Sequence, residues 1–104
     1  MARYIGPNRR RHSLFITQNT EYHLRDKHCV GVRDLWSGQW RTDHPAVGRR
    51  LFGAVRPGPE GLEPLPEPTV DCLLWFENGE NDILTSRLSA ITRPPKKVVQ
   101  TYAA

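Results

Sequence analysis

The side chains that could do chemistry here are two cysteines, four histidines and a late cluster of acids, and their spacing argues against a reaction centre. Cys29 and Cys72 belong to no CxxC or other closely spaced pair. A cysteine nucleophile needs a base within hydrogen-bond reach and a third group to orient that base. Nothing in the placement of His12, His23, His28 and His44 demands such a meeting. Each lies beside charged or turn residues, where a solvated histidine is the ordinary outcome. A zinc site from His28, Cys29, His44 and Cys72 would lack the short paired spacings of structural zinc modules. Both cysteines sit in apolar, strand-like runs, so they are expected as reduced thiols in the core. Asp71, Glu77, Glu80 and Asp82 could supply a hydrolytic pair of carboxylates, but the last three flank a turn, where acids keep a tip solvated. The expectation is a protein that is not an enzyme, with no catalytic residue, no metal and no cofactor.

The arginines carry a stronger signal. Arg9, Arg10 and Arg11 lie in the first dozen residues, and Arg49 and Arg50 enter a strand-like run. A guanidinium presents a planar fork of N–H donors that grips phosphate or carboxylate bidentately. The net charge of +4 hides an asymmetry: residues 1–56 hold eleven Lys or Arg against four acids, whereas residues 57–91 hold one Arg against seven. Separated charge of this kind creates a positive surface that attracts anions, unless the fold neutralises it with internal ion pairs. Tyr4, Phe15, Trp36 and Trp40 could add stacking surfaces for bases if they face the same side, while large aromatic side chains are also what a small barrel uses for its core. Arg9, Arg10, Arg11, Arg49 and Arg50 are therefore the candidate phosphate contacts, with Trp36 and Trp40 as stacking or interface residues. The partner expected is a nucleic acid or an acidic protein surface. A protein–protein adaptor using the Trp36–Trp40 tip and the acidic proline-rich stretch is the alternative.

The elements that must position these groups are short strands. With 104 residues, 38% hydrophobic and 25% charged, the chain suits one small soluble domain. Residues 1–12 read as a flexible basic arm, 13–93 as a single β domain and 94–104 as a tail with a possible short C-terminal helix. Leu14 and Ile16, then Thr20, Tyr22 and Leu24, alternate with polar neighbours, which is strand periodicity. Asp34 to Gln39 reads as a turn closed by Gly38, making a hairpin with Trp36 and Trp40 at its tip. Gly48 frees the backbone before a strand from Arg49 to Val55. Residues 57–68, with five of the nine prolines, read as an extended, polyproline-like acidic connector. Val70 to Glu77 is apolar on both faces, as in a central strand, and Asn78-Gly79 turns it into a further strand over Ile83–Ile91, with a helix capped by Asn81 and spaced on Leu84, Leu88 and Ile91 as the alternative. Five to six such strands imply a small all-β antiparallel barrel or roll of SH3-like or OB-like size, since closure hides the edges of a short sheet. The longest apolar run, Cys72–Phe76, is far below the roughly 20 residues of a membrane span, so no membrane partner and a cytoplasmic location are expected.

The arginine run followed by Asp43-His44-Pro45-Ala46-Val47-Gly48 resembles the layout of the PilZ family, in which a basic RxxxR arm and a DxSxxG loop on a small barrel clasp a cyclic dinucleotide. Asp43 and Gly48 match the loop, Pro45 replaces its small residue, and Ser13 stands four positions after Arg9 where the second arginine belongs. The resemblance covers about a dozen residues and implies a degenerate cyclic-dinucleotide-binding barrel as a further alternative. The leading expectation is a non-catalytic module for an anionic partner.

Overall fold

A computed structural model describes residues 11–102. The chain builds eight strands: β1 (His12–Ile16), β2 (Thr20–Arg25), β3 (His28–Asp34), β4 (Leu51–Gly58), β5 (Gly61–Leu65), β6 (Leu73–Phe76), β7 (Ile83–Arg87) and β8 (Ala90–Thr92). A short helix, α1 (Lys96–Val99), follows. The strands form two antiparallel four-stranded sheets rather than one closed barrel of five or six strands. Sheet A has the order β3-β2-β1-β8 and sheet B the order β5-β4-β6-β7.

Two of the extra strands come from segments with a different expected role. Residues 57–68 are not a free connector: β4 runs on through Pro57, and β5 returns along it with Gly58 opposite Gly61. Pro59 falls at the first central position of that turn, where its fixed φ is favourable. Pro64 is tolerated because β5 is the sheet edge, where a missing N–H leaves no ladder bond broken. The second departure is the run 83–91, which is not one strand but two. Leu88 and Ser89 turn the chain from sheet B to sheet A, with the Leu88 amide bonded to the Cys72 carbonyl and the Ser89 amide bonded to the Ile16 carbonyl.

Alternation along the strands assigns the faces. Phe15, Tyr22, Leu24, Cys29 and Val32 of sheet A meet Leu51, Ala54, Leu74 and Phe76 of sheet B, with Leu88 and Ala46 sealing the ends of the core. Each large side chain in this layer contributes about 1.5–3 kcal/mol by leaving water. Cys29 and Cys72 are both free and buried.

The opposite face of sheet A carries a second, polar cluster that the sequence does not announce. His23 is expected at the surface but is 0% exposed, because Trp40 from the loop after β3 and Tyr102 from the tail fold over it. Trp40 lies above Gly31, the residue across from His23, so closely that a Cβ on Gly31 would stand 2.7 Å from the indole. Only glycine admits that approach. From the other side the tail brings in Tyr102, whose hydroxyl donates to His23 Nδ1 while His23 Nε2 donates to Glu21 Oε1 at 2.9 Å. Arg33 Nε donates to the same oxygen at 3.0 Å and its guanidinium lies over the Trp40 ring. Burial lowers the His23 pKa below its ordinary value, outweighing the opposing pull of Glu21, and raises that of the Tyr102 phenol.

Replacing Tyr102 with Phe leaves the buried Nδ1 of His23 without a donor, and is expected to cost about 1–3 kcal/mol in urea unfolding. His12 and His44, like His23, have pKa values lowered chiefly by burial. A histidine whose folded pKa is depressed stabilises the fold fully above the unfolded pKa of about 6.5 and loses that contribution as pH falls. The melting temperature should therefore drop between pH 7.5 and pH 5, and His23→Gln should flatten that slope.

Candidate anion-binding end

One end of the molecule gathers cations from three places in the sequence. The β2–β3 hairpin turns through Asp26 and Lys27, with φ of 50° and 71°. Two left-handed central residues match the right-handed twist of the flanking strands. The turn projects Arg25, Lys27 and His28 into solvent. Arg11 enters beside it, its carbonyl bonded to the Asp26 amide and its guanidinium to the Asp26 carboxylate at 2.8 Å. That bond holds the Asp26 carboxyl below its usual range.

Arg49 and Arg50 reach the same end through the loop that precedes β4. Its turns close by bonds from the Val47 amide to the His44 carbonyl and from the Arg49 amide to the Ala46 carbonyl, while His44 Nδ1 accepts from the Ala46 amide. Ala46 is pulled into the core, and Gly48 takes a φ of +84°, a conformation in which side chains other than glycine are rare. The exit is stitched onto the start of β3: the Gly48 amide donates to the Cys29 carbonyl, the Cys29 amide to Arg49, and the Leu51 amide to Lys27. His28 and Arg50 thereby pair as a bridge. Arg50 is engaged by Glu77 at 3.3 Å. Among the described residues, Arg25, Lys27 and Arg49 have no carboxylate within ion-pair distance.

Of the residues singled out from sequence, Arg11, Arg49 and Arg50 come together here. Arg9, Arg10 and Tyr4 lie outside the described residues. Phe15 is no stacking surface, since it is buried between the sheets. Trp36 is 76% exposed, but it sits past the far end of β3, roughly 20 Å along the strand from His28 at about 3.3 Å per residue. There its Nε1 donates to Asn19 Oδ1 at 3.0 Å. Trp40 packs on the outer face of sheet A with His23 and Tyr102. Neither tryptophan is in the core, and Trp36 stands at the other end of β3 from the arginines. Sequence reasoning missed Arg25, Lys27 and His28. The available signal was two alternating runs separated by only two residues, Asp26-Lys27, although neither is the glycine or asparagine that usually marks so tight a turn.

The other candidate chemistries find different roles. Cys29 Sγ donates to the Gly31 carbonyl, and burial pushes its thiol up to about 12. Cys72 Sγ accepts from the Thr69 amide. Asp82 accepts from Trp75 Nε1 at 2.7 Å and from the Asn78 amide, shaping the β6–β7 turn. Among the described residues, no cluster of three or more His, Cys, Asp or Glu is placed to hold a metal ion, and no helix is long and apolar enough to cross a membrane. Comparison with known proteins finds no family model, no curated protein and no solved structure that matches this chain.

Lys27 holds a left-handed conformation that is uncommon outside glycine, asparagine and aspartate, and such outliers are a reservoir of roughly 1–3 kcal/mol. Lys27→Gly should raise the melting temperature by relieving it, while weakening binding of any anion at this end. The two effects are read separately, by calorimetry and by a binding isotherm.

Proposed function

We propose that this chain is a non-catalytic binding module for a phosphate-bearing polyanion, with nucleic acid the partner of choice. The observation that carries the reading is the stitch between β3 and the entry to β4. It sets Arg25, Lys27 and His28 beside Arg49 and Arg50, and among the described residues Arg25, Lys27 and Arg49 have no carboxylate partner. A preorganised cluster binds with less loss of side-chain freedom than a mobile one. Phosphates spaced along a strand supply several contacts at once, and release of their counterions drives association. Among the described residues, the acidic half of the chain meets the basic half in two ion pairs, Arg50–Glu77 and Arg56–Glu63.

The contacts are to backbone phosphates, so they position a strand without reading its bases. Arginine and lysine contribute here mainly as charge, and the exposed His28 ring adds a hydrogen-bonding group.

Fluorescence anisotropy with labelled single-stranded DNA, duplex DNA and RNA provides the test. Micromolar binding at 50 mM salt should weaken about a hundredfold by 200 mM salt if about four phosphates are engaged. Arg25→Ala, Lys27→Ala and Arg49→Ala combined should abolish it while leaving the melting temperature nearly unchanged. Absence of binding at the lower salt for all three probes contradicts the reading.

A further inference from the structure

A cleft of about 370 Å³ adjoins the anion-binding end, and Lys27 belongs to both. Its volume falls in the range of about 300–1,000 Å³ usual for small-ligand sites. Ile91 lines it from sheet A and Leu51 from sheet B, so its walls are partly apolar. Phe52 adds an aromatic surface that is 56% exposed. It is the extra residue at the β4 bulge between Leu51 and Gly53, a device that re-aims a side chain. The Trp75 ring packs against it at 4.6 Å between centroids, which positions the phenyl group before any ligand arrives.

The second charged group in the lining is Glu67, set between Pro66 and Pro68. A proline locks its own φ and confines the residue before it to extended conformations, so the backbone that carries this carboxylate is stiff. Among the described residues, no cation lies within ion-pair distance of Glu67. An ionised carboxylate only accepts hydrogen bonds and repels phosphate, so the group it suits is a donor carried a short way from the phosphate. An aliphatic chain offers no such donor, whereas a nucleobase has a flat face for Phe52 and a polar edge for Glu67. Building on the reading of this end as a phosphate site, we propose that the cleft takes one unpaired nucleobase bearing an exocyclic amine, stacked on Phe52 and donating to Glu67, while the phosphates of its strand meet Arg25, Lys27 and Arg49. Cytosine N4 and adenine N6 are such donors, but thymine presents the O4 acceptor in that place. A base enters only when it is free of its stack and its pair, so the site favours single strands.

The test compares labelled oligo(dC) and oligo(dT) of equal length by fluorescence anisotropy at pH 7.5 and 50 mM salt. Oligo(dC) should bind about tenfold more tightly, and in the labelled protein it should shift the amides of Phe52, Gly53 and Glu67. Glu67→Ala should bring the ratio of the two affinities to about one, by weakening oligo(dC) relative to oligo(dT). Phe52→Ala should weaken both oligonucleotides about tenfold through lost stacking. Both side chains are exposed, so neither change should move the melting temperature appreciably. Equal affinity for the two oligonucleotides, an unchanged ratio in Glu67→Ala, or unchanged affinity in Phe52→Ala overturns the base cleft alone when binding still falls with salt. No binding of either oligonucleotide at 50 mM salt overturns both the cleft and the phosphate site on which it rests.

Discussion

Three backbone hydrogen bonds between residues 27–29 and 48–51 hold the two halves of this molecule in register. The amides of Cys29, Gly48 and Leu51 all find their acceptors across this seam, at 2.9, 2.8 and 2.6 Å. Buried backbone donors left without partners would cost about 1–3 kcal/mol each, so the seam has one stable register. That register decides which side chains of β3 and β4 lie next to each other, and hence that Lys27, His28, Arg49 and Arg50 are neighbours. Fold and candidate site rest on the same bonds.

The faces of the two sheets divide the remaining work. Between the sheets, apolar side chains supply the burial that drives folding. Outside sheet A, a closed polar network of Glu21, His23, Arg33 and Tyr102 ties the tail to the sheet. Such a network is stable only when every buried member has a partner, and here the acceptor-only carboxylate places the imidazole proton on Nε2, leaving Nδ1 to accept from the phenol. Outside sheet B no segment among the described residues takes the equivalent place, and Phe52, Leu62 and Leu84 remain exposed. The two outer faces therefore differ: the tail covers one, and nothing among the described residues covers the other.

Much of the strand content was legible in the sequence, because period-two alternation from Leu14 to Leu24 and the apolar run Cys72–Phe76 report directly on a two-sided element. The Asn78-Gly79 turn, the short terminal helix and the role of Gly48 were equally local. What was not legible depends on long-range partners. Proline spacing in residues 57–68 suggests polyproline, yet β4 offers a ladder that accepts Pro64 at an edge. The corner at Leu88-Ser89 is set by Cys72 and Ile16 far away in the chain, so one alternating run becomes two strands. His23 looks like a surface residue because its covers, Trp40 and Tyr102, are 17 and 79 positions distant. For the site, Arg11, Arg49 and Arg50 were visible as charge, while Arg25 and Lys27 become part of it only through the seam.

The most direct test of this account is a two-dimensional NMR titration with a short DNA oligonucleotide, following the amides of residues 25–29 and 49–51 separately. Because the seam makes these segments one rigid site, both sets of shifts should follow a single isotherm with one Kd, and both should vanish together in the Lys27→Gly, Arg49→Ala double variant. Two distinct isotherms, or shifts in one segment alone, would contradict the claim that the seam assembles the anion-binding end.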